Sequence, residues 1–128
     1  MAKRRMFSLD IVDTDKFLDL PASTQALYFH LGMRADDDGF VGNPKKIAKS
    51  IGATDVDLNL LCSKGFIIPF ESGVIVITHF KMQNTLKNDR YKPTIYKNEK
   101  NMLSIGGNNE YMPNNTQQFF PQNEGFQQ

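Results

Sequence analysis

The chain has 128 residues, with 15 Lys and Arg against 14 Asp and Glu, a single cysteine and no tryptophan. That length suits one domain with a tail, because two separate cores would each be too small to bury the surface a fold needs. Cys62 alone excludes a disulfide framework, and with only His30 and His79 beside it no ligand set for structural zinc is left. No apolar run of about 18 residues occurs. The basic start leads into Met6-Phe7-Ser8-Leu9-Asp10 rather than an apolar signal core, so a soluble cytoplasmic protein is expected.

The small net charge of +1 hides an uneven distribution. Residues 1–5 carry +3, residues 6–40 carry −5, residues 41–64 carry +2, residues 65–80 carry −1, residues 81–100 carry +4 and residues 101–128 carry −2. Basic charge thus gathers in three places, which makes a partner with a negative surface plausible.

In chain order, residues 1–12 form a basic N-terminal arm, and residues 13–20 a short helix capped by Asp13 or Thr14 and closed before Pro21. Ser23 is a good cap for a stronger helix, in which Leu27, Tyr28, Leu31 and Ala35 recur at three- and four-residue spacing. Asp36-Asp37-Asp38-Gly39 supplies turn chemistry, and Gly39-Phe40-Val41-Gly42 reads as a brief strand. Asn43-Pro44 opens a helix over 44–51 with Ile47, Ala48 and Ile51 on one face and Lys45, Lys46 and Lys49 on the other. Gly52 ends it and Thr54 caps the next, over 54–64, with Leu58, Leu61 and Cys62 on its apolar side. Two β-branched and aromatic runs, 66–70 and 74–78, follow as a hairpin around Glu71-Ser72-Gly73, and Pro69 requires an open edge on the first.

Beyond this 13–80 unit, residues 81–100 read as a basic extension, helical in part. Residues 101–128 hold 11 Asn or Gln and no Lys or Arg, and Phe119, Phe120 and Phe126 follow no period, so this stretch reads as a disordered tail.

Two short helices around a glycine turn, preceded by a helix and a tiny strand and followed by a hairpin, are the order of a winged helix-turn-helix. The expected class is α+β, with Phe40-Val41 completing a three-stranded sheet. A generic small α+β domain has a similar order. Longer strings add to this: Phe17-Leu18-Asp19-Leu20-Pro21, Gln25-Ala26-Leu27-Tyr28-Phe29-His30-Leu31, Ala35-Asp36-Asp37-Asp38-Gly39-Phe40-Val41, Lys64-Gly65-Phe66-Ile67-Ile68 and Asp89-Arg90-Tyr91. Over roughly residues 4–100 the chain resembles the N-terminal domain of phage replisome organisers, the replication-initiation proteins of phages and prophages of Gram-positive bacteria. The resemblance implies a winged-helix domain that binds the phage origin inside the host cell and helps recruit the host helicase or helicase loader, with homo-oligomers as one arrangement. His79-Phe80 and Gln83-Asn84 depart from the His-Trp and His-Asn expected there.

Candidate DNA contacts follow from residue chemistry. Lys45 and Lys49 share one side of a helix, with Lys46 beside them, and can meet successive phosphates. On the following helix, Thr54, Asn59 and Lys64 are the candidates; Asn59 can read adenine and Asp57 can accept from cytosine, although Asp55 and Asp57 oppose phosphate attraction. Lys81, Asn84, Lys87, Arg90, Tyr91 and Lys92, followed by Tyr96 and Lys97, interleave cations with aromatics, which suits duplex or single-stranded DNA. A packed helix with solvated charge, or a local Asp89–Arg90 pair, would use the same residues. Lys3, Arg4 and Arg5 can enter a minor groove as a flexible arm.

No phosphate-cradling glycine loop, nucleophile elbow or paired metal motif occurs, so neither a catalyst nor a cofactor is expected. Asp36-Asp37-Asp38 has no closing glutamate at calcium-loop spacing and is read as a turn whose Asp38 is oriented by backbone amides. His30 is read as a packed, hydrogen-bonded histidine. The competing functions are a protein-interaction or oligomerisation module, whose acidic 54–64 helix makes the contacts, and a winged-helix transcriptional regulator.

Overall fold

A computed structural model describes residues 3–86 and 89–114. Its first elements are two single-turn helices, α1 (Leu9–Val12) and α2 (Asp15–Leu18), where one helix over 13–20 was expected. Each has its own cap. The Ser8 hydroxyl accepts from the Asp10 N–H at 3.1 Å, and the Thr14 hydroxyl accepts from the Phe17 N–H at 3.2 Å, with Thr14 itself extended so the two turns cannot merge. Ile11 and Phe17 are buried, so the segment expected as an arm belongs to the core from α1 onward.

Helix α3 (Ala22–Arg34) starts directly after Pro21, and Ser23 is not its cap. The Ser23 hydroxyl instead donates to Asp57 at 2.8 Å. The expected apolar face of α3 is realised, with Leu27, Tyr28, Leu31 and Ala35 all fully buried. Strand β1 (Phe40–Val41) leads to α4 (Pro44–Ser50), which has proline in its first turn, and a turn leads on to α5 (Asp55–Ser63). Gly52 makes that turn possible, because its φ of +78° is strained for any side chain carrying a Cβ. Helix α3 packs on both α4 and α5.

Strands β2 (Ile67–Pro69) and β3 (Ile75–Ile77) complete a three-stranded antiparallel sheet in the order β1-β3-β2. Phe40 pairs with Val76 on one side of β3, and Ile68 pairs with Val76 on the other. The Phe70 N–H donates to the Val74 carbonyl and the Thr78 N–H to the Phe66 carbonyl. With this two-residue alternation the backbone of Ile67 and Pro69 points away from β3, where the missing proline N–H breaks no bond. Helix α5 packs on β2, and Phe17 of α2, Tyr28 of α3 and Phe66, just before β2, meet edge to face, with Phe17 and Tyr28 5.2 Å apart. Burial pushes the Cys62 thiol up to about 12, which leaves it an inert thiol packed beside the core. The fold is therefore mixed α+β.

The chain then forms α6 (Phe80–Gln83), an irregular stretch, α7 (Lys97–Asn101), and the paired strands β4 (Leu103–Ile105) and β5 (Tyr111–Pro113). This corrects the expectation of disorder from residue 101: residues 101–114 are folded onto the domain. Composition misses this because a few side chains do the anchoring: Met102 and Leu103 pack against the core, and Tyr111 enters it. Tyr111 is buried, its ring sits 6.0 Å from Phe40, its N–H donates to the Thr78 carbonyl at 2.9 Å, and its hydroxyl donates to the Asp38 carbonyl at 2.6 Å. Phe119, Phe120 and Phe126 lie outside the described residues.

Tyr111→Ala removes a buried ring and is expected to destabilise the domain by about 3 kcal/mol. Tyr111→Phe, which leaves the Asp38 carbonyl unpaired, should cost about 1 kcal/mol. Denaturant midpoints equal to the parent for both variants would contradict this docking.

Candidate nucleic-acid interface

Lys45, Lys46 and Lys49 project from α4 into solvent, because Pro44, Ile47 and Ala48 bury the opposite side. None of the three lysines makes an ion pair with another described residue. Lys64, which caps the end of α5, is exposed, as are Lys3 and Arg4.

Arg5 is different. Its side chain is only 2% exposed; Nη2 donates to the Ala35 carbonyl at 2.7 Å and to Asp37 at 3.1 Å, and the guanidinium lies 5.3 Å from the Phe80 ring centroid. The expectation that Arg5 belongs to a free arm is corrected, since it is a buried strut between the N-terminus and the turn after α3. Asn84 fixes the same segment: its amide accepts from the Met6 N–H at 2.7 Å and donates to the Met6 carbonyl at 3.2 Å.

Lys81 of α6 and Lys100 of α7 are also turned inward, together with Tyr91. Lys81 pairs with Asp38 at 2.7 Å, Lys100 reaches the same carboxylate at 3.4 Å, and the Tyr91 hydroxyl donates to it at 2.7 Å. The Thr94 N–H adds a further bond at 2.8 Å. Asp38 is fully buried, and burial alone would raise its pKa; the hydrogen bonds from Lys81, Tyr91 and the Thr94 N–H outweigh that and hold it below the usual carboxylate range. Burial and the neighbouring Asp38 in turn push the Tyr91 phenol up to about 12. Lys81 and Tyr91 are therefore committed to an internal network rather than presented for DNA. The backbone N–H of Lys92 binds Asp37 at 3.0 Å, while its side chain, like Arg90 and Lys97, is exposed. Lys87 lies outside the described residues.

Helix α5 differs from expectation in one decisive residue. Asp57 is buried and closes a capping box: it accepts from the Thr54 N–H at 2.9 Å, while the Thr54 hydroxyl accepts from backbone N–H groups of the first turn. The Ser23 and Thr24 hydroxyls donate to the same carboxylate at 2.8 and 2.6 Å. Burial raises the Asp57 pKa, but these bonds outweigh it and hold the carboxyl below its ordinary value. Asp57 is thus unavailable to a cytosine, and the Thr54 hydroxyl is occupied as a cap. Asn59 is half-buried with its Oδ1 unpaired. The outward side of α5 holds Asp55, Val56 at 66% exposure, and Ser63.

A groove of about 460 Å³ opens beside the start of α4. Arg34 and Lys92 stand at its rim, with Tyr96 and Ile95 among its walls. Sequence reading offered no signal for it, because it joins the end of α3 to a loop about 60 residues later. His30, read as a packed, hydrogen-bonded histidine, is half-buried and accepts from Arg34 through Nδ1 at 3.0 Å. His79 lies 3.6 Å from Glu110, and burial, assisted by Lys16 and opposed by Glu110, lowers its pKa. Among the described residues no group of three or more His, Cys, Asp or Glu side chains could hold a metal ion, and no helix is long and apolar enough to cross a membrane. No family profile, curated protein or solved structure matches the chain.

Asp38→Asn strands Lys81 and Lys100 and is expected to cost about 3 kcal/mol at neutral pH, the low end for a broken buried pair because both ammonium groups still reach water. Since the folded pKa values of Asp38 and Asp57 are depressed, their stabilisation is complete above about pH 4 and is lost as pH falls through the folded values. The difference between parent and Asp38→Asn should therefore shrink in acid. Denaturant titrations at neutral and acidic pH check this, and a pH-independent difference would contradict it.

Proposed function

We propose that the chain is a winged-helix DNA-binding domain that serves replication initiation in the manner of phage replisome organisers. The winged-helix reading is supported by the run of α3, β1, α4, the Gly52 turn, α5 and the β2–β3 hairpin, with β3 central in the sheet. The observation that carries DNA binding is the exposed face of α4, where three lysines stand free of ion-pair partners among the described residues while Arg5, Lys81 and Lys100 are consumed by aspartates. Arg34 and Lys92 line the groove that also includes Asn43 at the start of α4. Origin binding and contact with a host helicase or its loader rest on the resemblance of the sequence strings alone.

The way α5 would sit on DNA is limited by its chemistry. Its exposed first turn is acidic and apolar, so phosphate contacts come from α4 and from Lys64 rather than from the start of α5. Exposed Val56 beside Asp55 favours a second reading in which this side of α5 meets protein. In that case DNA binding and assembly use different sides of the domain.

Affinity dominated by phosphate contacts falls by about 0.9 log units per log unit of salt for each phosphate neutralised. Replacing Lys45, Lys46 and Lys49 together by alanine should weaken duplex binding and flatten that slope by about 2 to 3, while leaving the folded state and its oligomerisation unchanged. Fluorescence anisotropy across a salt series measures both quantities. A parent protein with a flat salt response, or a triple variant that binds as well as the parent, would sink the reading; altered assembly in Val56→Asp with intact DNA binding would establish the protein contact on α5.

A further inference from the structure

The groove beside α4 has chemistry that a fully paired duplex does not use. Ile95 is 77% exposed at its mouth, next to Pro93 and Tyr96. Tyr96 is held in place rather than free: its ring lies 6.3 Å from Phe40, and its hydroxyl sits so close to the Gly42 backbone that no Cβ would fit there. An apolar and aromatic wall of fixed geometry faces two cations. Arg34 is oriented, because its guanidinium donates to His30 Nδ1 at 3.0 Å and to the His30 carbonyl at 3.2 Å, leaving its remaining donors free. Lys92 has its backbone fixed by Asp37 and its side chain in solvent. The one carboxylate of the lining, Asp36, is already engaged by the Thr94 hydroxyl and by the N–H groups of Asp38 and Phe40.

We propose that this groove seats one unpaired base of a DNA strand, with the phosphates on either side of that base held by Arg34 and Lys92. The inference rests on the DNA-binding reading above and deepens it. The lysines of α4 attract either duplex or single strands, whereas the open groove wall of Tyr96 and Ile95 offers its stacking surface only to a base whose faces are uncovered. Its volume is that of a small-ligand site, and its lining mixes Phe40, Ile95 and Tyr96 with polar groups. A domain of this kind would hold a strand where the helix is being opened, rather than only mark its place on closed DNA.

The test uses the full chain, a short oligothymidylate carrying a central 2-aminopurine, and a blunt duplex. Stacking in the groove should change the 2-aminopurine fluorescence on binding. Ile95→Glu places a carboxylate at the mouth without disturbing the core, and should weaken the single strand about tenfold and abolish the fluorescence change while leaving duplex affinity intact. Arg34→Gln should weaken the single strand more than the duplex. The groove inference is overturned, with the α4 interface left standing, if the parent binds duplex alone, if Ile95→Glu binds the single strand as the parent does, or if it weakens both forms equally. A parent that binds neither form overturns the DNA-binding reading and this inference together.

Discussion

Three consecutive carboxylates after α3 organise much of what lies outside the central helices and sheet. A carboxylate taken out of water is tolerated only if its charge is met and its lone pairs are filled. Asp36 closes its own turn on the N–H groups of Asp38 and Phe40 and reaches Thr94. Asp37 takes Arg5 from the N-terminus and the Lys92 N–H from the far segment. Asp38, beneath them, gathers Lys81, Tyr91, Thr94 and Lys100. Each demand recruits a different part of the chain, so the arm, α6, the loop before α7 and the hairpin carrying Tyr111 are all tied to one turn.

This arrangement changes how the basic residues should be counted. Charge that neutralises an internal carboxylate contributes little field to an approaching polyanion. Once Arg5, Lys81 and Lys100 are assigned to the aspartates, the free cations near the start of α4 are its own lysines together with Arg34 and Lys92. The cationic surface is therefore smaller than the sequence distribution implies, although Lys64, Arg90 and Lys97 also remain exposed.

What was legible in the sequence were features with a period or a local stop. The apolar faces of α3, α4 and α5, the Gly52 turn and the hairpin with its outward Pro69 all arise from interactions between near neighbours in the chain. What was not legible depends on single side chains meeting across large separations. Asp57 has the spacing of a capping box with Thr54, but its second set of partners on α3 could not be seen from the sequence. The aspartate triplet was read as a turn whose Asp38 is oriented by backbone amides; the amides of the turn bind Asp36 instead, and Asp38 takes the Thr94 N–H and cationic partners, as Asp37 takes Arg5, roughly 30 to 60 residues away. Residues 101–114 have the composition of a solvated tail, yet Tyr111, with Met102 and Leu103 packed against the core, docks them. For the same reason Lys45 was readable as exposed while Arg5 was not.

Pro69 on the outer side of β2 bears on how copies of the domain can meet. A foreign strand laid along that border would find one rung of the hydrogen-bond ladder absent within a run of three residues, too short to recover the loss elsewhere. Growth of the sheet from molecule to molecule along that border is thereby discouraged.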